Sequence, residues 1–177
     1  SLDISQKILK KIPPDWEKYD VILGEHIYLN QIPLIKIIKY GKFAFLRNPG
    51  AIFNKGRSIR FQFDMFHGNG ILDKAIDLLG QNDKEDFKLF VTRNISFNYG
   101  NMFICKSKEL MNKYYETLFP CLEKCETILG FELKGYEART YGFLAERFMA
   151  YWFNKNSKVH EIPVIYLSLI HISEPTR

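Results

Sequence analysis

Residues 136–153 read YEARTYGFLAERFMAYWF, and this segment decides how the chain folds. Placed at 100° per residue on a helix, it presents apolar side chains on two nearly opposite faces. The first face holds Tyr141, Leu144, Phe148, Tyr151 and Trp152, and the second holds Arg139, Gly142, Phe143, Glu146, Ala150 and Phe153. The pattern therefore predicts a helix over about 137–154 that is buried on both sides.

Two charged residues of the second face, Arg139 and Glu146, are then expected in a mostly apolar environment. Burying a charge costs several kcal/mol unless the charge is paired. One interpretation is an internal ion pair that joins two layers of the fold. The other is a cleft wall, where a carboxylate acts as a base or accepts hydrogen bonds from sugar hydroxyls and a guanidinium binds phosphate. The spacing alone leaves both interpretations open.

The rest of the chain alternates short apolar runs with turn signals, which indicates an α/β chain without an internal repeat or a dividing linker. Strands are predicted at 19–23, 102–105 and 161–166, and helices at 5–11, 71–79, 83–93 and 107–130. Ser107 is the predicted N-cap of the long helix, and Pro120 inside it predicts a kink. Residues 58–67 fit a helix or a strand equally well.

Composition places the chain among globular proteins, because 46% of its 177 residues are apolar and 25% are charged. Aromatic residues reach 15%, which is ample for a core, and no run of about 18 apolar residues predicts a membrane span. The net charge is +5, with basic residues spread along the chain apart from a cluster at 7–11. No nucleic-acid-binding motif accompanies that charge, so nucleic acid is a poor candidate partner.

Three cysteines, an odd number, favour a reducing compartment. Cys121 and Cys125 lie four residues apart on the apolar stripe of the long helix, so we expect them to behave as small core residues. A zinc site would need further ligands, and the nearest histidines are distant in sequence. We therefore predict no metal site among the cysteines.

Several motifs occur in a family-like order. They are Asn101-Met-Phe-Ile-Cys-Lys, then Leu118-Phe-Pro120 with Leu122-Glu123, then Ala138-Arg139-x-x-Gly142-Phe-Leu-Ala-Glu146-Arg147. In these motifs the chain resembles the C-terminal half of the domain-of-unknown-function family 4422, found in bacterial capsular and exopolysaccharide biosynthesis proteins. The resemblance covers about residues 15–166 and is strongest over 99–153.

The resemblance implies an incomplete glycosyltransferase domain of the GT-A type, an α/β fold that binds nucleotide sugars. Residues 1–166 would be the acceptor-side half of that domain, with the donor-binding half expected to precede residue 1. Residues 167–177 resemble the translation of a sequencing adapter, so we expect them to be an artefactual tail. No Asp-x-Asp metal motif occurs in the 177 residues.

The family motif also implies site residues. As catalytic residues it implies Glu146 and Glu137, and as substrate-binding residues Arg139, Arg147, Asn101, His67 and Tyr136. Each has a structural alternative: an internal ion pair for Glu146 and the arginines, helix stabilisation for Glu137, and a loop hydrogen bond for His67. Asn101 would contact sugar or hold its turn, and Tyr136 would stack on a sugar ring.

The function implied by the resemblance is transfer of a sugar from a nucleotide-sugar donor to a capsular or exopolysaccharide acceptor. The donor is then a substrate, and the need for a divalent metal stays open. Polysaccharide assembly proteins are expected partners, and the expected place is the cytoplasm, with peripheral association at the inner face of the membrane. The alternatives are a non-catalytic carbohydrate-binding or scaffold domain and a basic domain for phosphorylated or nucleic-acid ligands.

Overall fold

The chain is rich in helix and contains only short strands. A computed structural model describes residues 11–53, 56–129 and 139–164. Within these ranges the helices are α1 Leu34–Tyr40, α2 Lys42–Arg47, α3 Ile59–His67, α4 Ile71–Asp77, α5 Gln81–Arg93, α6 Lys108–Leu129 and α7 Thr140–Asn156. The strands there are β1 Val21–Gly24, β2 His26–Tyr28, β3 Ser96–Asn98, β4 Phe103–Cys105 and β5 Val159–Ile162. The predicted helix-rich α/β architecture with few strands is thus confirmed.

The strands form two small sheets. In the first, β1 lies between β4, which is antiparallel to it, and β5, which is parallel to it. In the second, β2 and β3 pair antiparallel, with His26 opposite Asn98. Because β1 and β5 are parallel, their carboxyl ends, at Gly24 and Ile162, lie at one edge of the sheet. The start of β4 lies at that same edge, since Phe103 pairs with Leu23.

Helix α7 is the centre of the molecule, as the segment at 136–153 predicted. Every residue from Leu144 to Phe153 is buried. On one side Phe148 and Tyr151 pack against Phe87 of α5, and on the other Phe153 packs against Phe103 of β4. Helix α6 also covers α7, through Tyr114 and its neighbours. The prediction of burial on both sides is confirmed.

Several sequence predictions change in detail. The segment at 58–67 is helical, and the strand predicted at 161–166 begins two residues earlier, at Val159. The predicted helix at 5–11 and the end of the long helix at Gly130 lie outside the described residues. Helix α6 continues through Pro120, and the kink there stays a prediction. No helix in the described ranges is both long enough and apolar enough to cross a bilayer.

Hydroxyl side chains cap two of the helices that surround α7. The Ser58 Oγ accepts a hydrogen bond from the backbone N–H of Phe61 at 3.2 Å, and Ser107 caps α6 through Leu110 at 3.1 Å. The N-cap predicted at Ser107 is therefore confirmed. Ser58 is buried, so water cannot readily replace its hydroxyl at the first turn of α3.

We expect Ser58→Ala to lower the free energy of unfolding by about 1 kcal/mol, since the first turn of α3 loses its acceptor. Ser58→Thr keeps a hydroxyl at the same place and should retain most of the stability. Urea unfolding followed by circular dichroism measures both variants. Equal losses for alanine and threonine would show that the cap contributes nothing and that side-chain volume decides.

Candidate functional site

Two residues implied by the family motif meet near the carboxyl ends of β1 and β5: Asn101 lies beside Gly24 and Ile162, and Glu146 contacts Gly100 next to it. The connection from β3 to β4, residues 99–102, passes this edge. The Asn98 side-chain amide joins that connection to the edge by donating a hydrogen bond to the Gly24 carbonyl at 2.8 Å. In open α/β sheets the carboxyl ends of parallel strands are the usual place for ligand sites. We therefore describe this edge as the candidate site.

A buried ion pair lies behind the edge. Glu146 and Arg147 are neighbours on α7, and their residues are only 4% and 1% exposed. One Glu146 carboxylate oxygen accepts a hydrogen bond from the Arg147 guanidinium. The other oxygen accepts from the backbone N–H of Gly100 at 2.6 Å. Each Glu146 oxygen therefore has a donor inside the protein.

Glu146 thus holds the 99–102 connection against α7. Gly100 has a positive φ of 88°, a conformation that side chains other than glycine rarely adopt. Burial raises the pKa of Glu146 above its usual range, against the opposing effects of the Arg147 charge and the Gly100 hydrogen bond. A carboxylate with this environment and these contacts is well suited to positioning the loop.

Arg147 extends the same network into two other elements. Its guanidinium donates to the Gln62 side-chain oxygen of α3 at 2.7 Å and to the Phe143 carbonyl at 3.1 Å. It also lies over the rings of Phe97, at 4.9 Å, and Phe63, at 5.4 Å. Cation–π contacts of this kind offset part of the cost of burying a guanidinium. Arg147 therefore ties α7 to both α3 and β3.

One sequence expectation about charge is wrong. Arg139 was expected with Glu146 in the apolar environment of α7, but Arg139 is exposed at the start of the helix, and Glu146 pairs with Arg147. The reason is position: Arg139 precedes the first turn of α7, where one side of the chain still faces solvent. Its guanidinium lies 5.5 Å from the centre of the Phe143 ring.

Asn101 and Gly142 form an accessible part of the edge. The exposed Asn101 side-chain amide donates to the Gly142 carbonyl at 2.8 Å, which joins the 99–102 connection to the first turn of α7. A side chain at Gly142 would meet nothing within 4 Å. Among the described residues, no neighbouring group therefore requires a glycine at this position. Asn101 does hold its turn, one of its two expected roles.

His67 lies against the ring of Phe143. The two rings stack with centres 4.1 Å apart, and Phe63 is a second aromatic neighbour at 4.8 Å. Burial, with a smaller contribution from the Arg147 charge, lowers the pKa of His67 to about 4. The imidazole is therefore neutral near pH 7 and supplies no positive charge for a phosphate group.

This shift predicts a pH-dependent stability. Unfolding restores the ordinary pKa of about 6.5, so the unfolded chain binds more protons than the folded chain between pH 6.5 and pH 4. Stability due to neutral His67 should be complete above pH 6.5 and decline as the pH falls toward 4. Urea unfolding of the chain and of His67→Phe across this range measures the difference. A parallel pH dependence in both proteins would contradict the assignment.

Two candidate residues, Tyr136 and Glu137, lie outside the described residues. Their roles in stacking on sugar and in catalysis stay predictions.

Comparison with known proteins now identifies the family. The family model described as "Domain of unknown function (DUF4422)" matches residues 49–157, more than half of the chain. The chain belongs to the DUF4422 family. No curated protein and no solved structure matches the chain. The matched segment includes α3 to α7 with β3 and β4, and it is narrower than the range of about 15–166 that the sequence motifs suggested.

The DUF4422 chain also brings together three residues that sequence reasoning missed. The His26 Nδ1 lies 2.7 Å from a Glu161 carboxylate oxygen, and the Asn98 amide donates to the same oxygen at 3.2 Å. The side chains of His26 and Glu161 are about one-third exposed, at 29% and 37%. His26 and Glu161 lie outside the segment that the family model matches. Their only signal in the sequence is that Glu161 begins a predicted strand.

This cluster rests on a second polar contact from α7. The Asn154 side-chain amide donates to the Asn98 side-chain oxygen at 2.9 Å, and Asn98 is fully buried. Asn98 is thereby oriented with its amide toward Glu161 and Gly24. Among the described residues of the DUF4422 chain, no group of three or more histidine, cysteine or carboxylate side chains could hold a metal ion.

Proposed function

We propose that this DUF4422 chain is part of a GT-A-type glycosyltransferase. It transfers a sugar from a nucleotide-sugar donor to a capsular or exopolysaccharide acceptor, on the cytoplasmic side of the membrane and alongside other polysaccharide assembly proteins. The match to the DUF4422 family supports the proposal, because the site residues named from the sequence were implied by that family's motif. The structural observation that carries it is a polar edge that opens into a groove at the carboxyl ends of two parallel strands.

The groove has a volume of about 780 Å³, which is within the range of small-molecule sites. It begins at Gly24, Asn101 and Ile162 and runs along β1 and β4 to Tyr115 of α6. Its wall is mostly apolar with an aromatic side chain, and Asn101 supplies an amide at one end. Such a lining suits a sugar ring, which has apolar faces and polar edges. We assign the groove to the acceptor saccharide.

Inverting sugar transfer needs a carboxylate that takes the proton of the acceptor hydroxyl. Glu146 is the carboxylate implied by the family motif, but both its oxygens are bound inside the protein. Glu161 is partly exposed to solvent, pairs with His26 and directly precedes Ile162, which lines the groove. We therefore assign the base to Glu161, with His26 and Asn98 orienting it, and a positioning role to Glu146.

The donor diphosphate needs a cation. Arg139 is exposed three residues before Gly142, whose carbonyl accepts the Asn101 hydrogen bond, so we assign the contact with the diphosphate to its guanidinium. Arg147 is buried and bound by Gln62 and Glu146, which assigns it to the fold. Because no group of three metal-binding side chains occurs among the described residues, a divalent metal would also need ligands from the donor. Whether transfer needs a metal stays open.

The test is thermal unfolding of this chain, and of any longer protein that contains it, with a panel of nucleotide sugars and capsular oligosaccharides, with and without Mg²⁺ or Mn²⁺, together with an assay of sugar transfer. We expect stabilisation by one nucleotide-diphosphate class. The affinity for that ligand should fall at least tenfold in Arg139→Ala. It should be unchanged in Arg93→Ala, which replaces an exposed arginine of α5. Glu161→Gln should abolish transfer while ligand binding persists. A Glu161→Gln protein that still transfers sugar, beside an inactive but folded Glu146→Gln, would return the base to Glu146.

Both oxygens of Glu146 are hydrogen-bonded inside the protein, and this also favours a second candidate function, a non-catalytic carbohydrate-binding or scaffold domain. A scaffold would bind saccharide in the groove without using a donor. Oligosaccharide binding that Asn101→Ala weakens, combined with no response to any nucleotide sugar and no transfer, would select this candidate. The absence of both saccharide and donor binding would exclude both candidates.

A further inference from the structure

The segment from His26 to Phe63 has an unusual charge. It contains no aspartate or glutamate and seven basic residues, whereas the whole chain has a net charge of only +5. The basic residues are Lys36, Lys39, Lys42, Arg47, Lys55, Arg57 and Arg60. A local excess of this size attracts anionic partners over a distance of about 8 to 10 Å at physiological ionic strength.

The arginines of this segment are used inside the protein. Arg47 and Arg60 both pair with Asp73 of α4, and Arg57 donates to backbone carbonyls of residues 30 and 32. The two lysines of α1 differ from them. Lys36 and Lys39 are exposed, and neither forms an ion pair with a described residue. Lys39 lies over the ring of Tyr40, 5.2 Å from its centre, and both lysine side chains remain exposed to solvent.

Helix α1 also exposes apolar side chains. Leu34, Ile35 and Ile38 are 51%, 75% and 55% exposed, and Ile37 is the one fully buried residue of the helix. Aliphatic side chains exposed together in this way mark interaction sites on soluble proteins. The helix is held in place through Ile37, which packs with Phe61 and Met65 of α3 in a small core of its own.

The exposed residues of α1 are sorted by angle. At 100° per residue, the apolar Leu34, Ile38 and Ile35 fall within an arc of about 100°, and Lys39 and Lys36 follow on the adjoining arc. Tyr40 lies beyond the two lysines, where its ring is 6.1 Å from the ring of Phe66 of α3, and both residues are about half exposed. We call these seven residues of α1 and α3 the α1 surface.

We propose that the α1 surface binds the face of an anionic lipid bilayer. Leucine and isoleucine would enter the boundary between headgroups and acyl chains, and the lysines would extend their ammonium groups to the lipid phosphates. Helices with an apolar arc beside a basic arc lie in the plane of a membrane interface. The positive charge of the lysines also complements the negative surface of the cytoplasmic leaflet. This proposal rests on α1 alone and is independent of the sugar-transfer proposal.

Other anionic partners fit this surface less well. Single-stranded nucleic acid is bound by aromatic platforms on which bases stack, whereas the most exposed residues of α1 are aliphatic. The basic cluster at residues 7–11 is a second source of attraction to anions, so the experiment must separate it from the α1 surface.

The experiment is flotation of the full chain with vesicles of phosphatidylcholine alone or with 30% phosphatidylglycerol, in low and high salt. We expect binding to the anionic vesicles only, weakened by high salt. Lys36→Glu/Lys39→Glu and Ile35→Asn/Ile38→Asn should each weaken it at least tenfold. The matched control is Lys88→Glu/Leu89→Asn, an exposed lysine and leucine of α5, which should bind like the unchanged chain.

Circular dichroism and thermal unfolding check that the variants fold. If Ile35→Asn/Ile38→Asn does not fold, the single variant Ile35→Asn is used in its place. Vesicle binding that persists in all α1 variants would assign the attraction to residues 7–11 and overturn the proposal. Absence of binding to anionic vesicles would overturn it as well. A third result would also overturn it: the chain binds a soluble polyanion such as heparin, the α1 variants weaken that binding, and the chain does not bind vesicles.

Discussion

Replacing Arg147 by methionine is expected to lower the free energy of unfolding by about 3–5 kcal/mol. The variant keeps most of the side-chain volume but leaves Glu146 buried, with the Gly100 N–H as its one remaining donor among the described residues. It also removes the bond to Gln62 and the contacts with the Phe97 and Phe63 rings. Since a small domain is stable by about 5–15 kcal/mol, this loss is a large part of the total.

Urea unfolding at pH 8 measures the loss, because Glu146 is most strongly charged there. As the pH is lowered the loss should become smaller, since burial raises the pKa of Glu146 and protonation removes the unpaired charge. The double variant Glu146→Gln/Arg147→Met should recover about 1–3 kcal/mol relative to Arg147→Met alone. Arg93→Met is the matched control at an exposed position. Strictly additive losses in the double variant would contradict a coupled pair.

Replacing Phe153 by alanine is expected to cost about 3–5 kcal/mol. Phe153 is fully buried, and its ring lies 4.9 Å from that of Phe103 and 4.7 Å from that of Tyr114. It therefore fills the space where α7 meets both the sheet and α6. Truncation removes buried apolar surface and leaves a cavity that these large rings can close only in part.

Thermal and urea unfolding of Phe153→Ala measure this loss. The matched control is Phe119→Ala, the same substitution on α6 at a residue that is 56% exposed, which should change stability by about 0.5 kcal/mol or less. A loss at Phe153 no larger than that at Phe119 would contradict the packing described for α7.

The ion pair bears directly on the proposed function. Glu146 holds Gly100, and Asn101, the next residue, lines the groove. A variant at Glu146 can therefore lower activity by displacing the loop, without Glu146 touching substrate. The comparison of Glu161→Gln with Glu146→Gln separates the two roles, since loss of positioning should weaken saccharide binding and loss of the base should not.

The longer helices could be predicted from the sequence because their signals are local, whereas α1 and α2 were not predicted and α3 was left open between helix and strand. The apolar faces of 71–79, 83–93 and 107–130 each repeat within one helix, and Ser107 caps its own first turn. The short strands could not be predicted as well. β2 and β3 have only three residues each, too few for an alternating pattern, and they are strands only because they pair with each other.

The candidate site divides in the same way. Glu146, Arg147, Asn101 and His67 were named from the family motif, and the structure places all four within the network around α7. The misplacement of Arg139 came from extending the helical wheel beyond the first turn. The His26–Glu161 pair spans a large separation along the chain, and its partners meet only because β1, next to His26, pairs with β5.

The sequence by itself determined that α7 is buried on both sides, because an eighteen-residue segment with two apolar faces has no stable place at a surface. It also determined that the buried charge of Glu146 needs a partner, since an unpaired carboxylate is too costly in a core. Tertiary structure alone decided that this partner is Arg147 and that Gly100 binds the other oxygen. Pairing of distant strands depends on the packing of the whole chain, and that packing placed Glu161 beside His26.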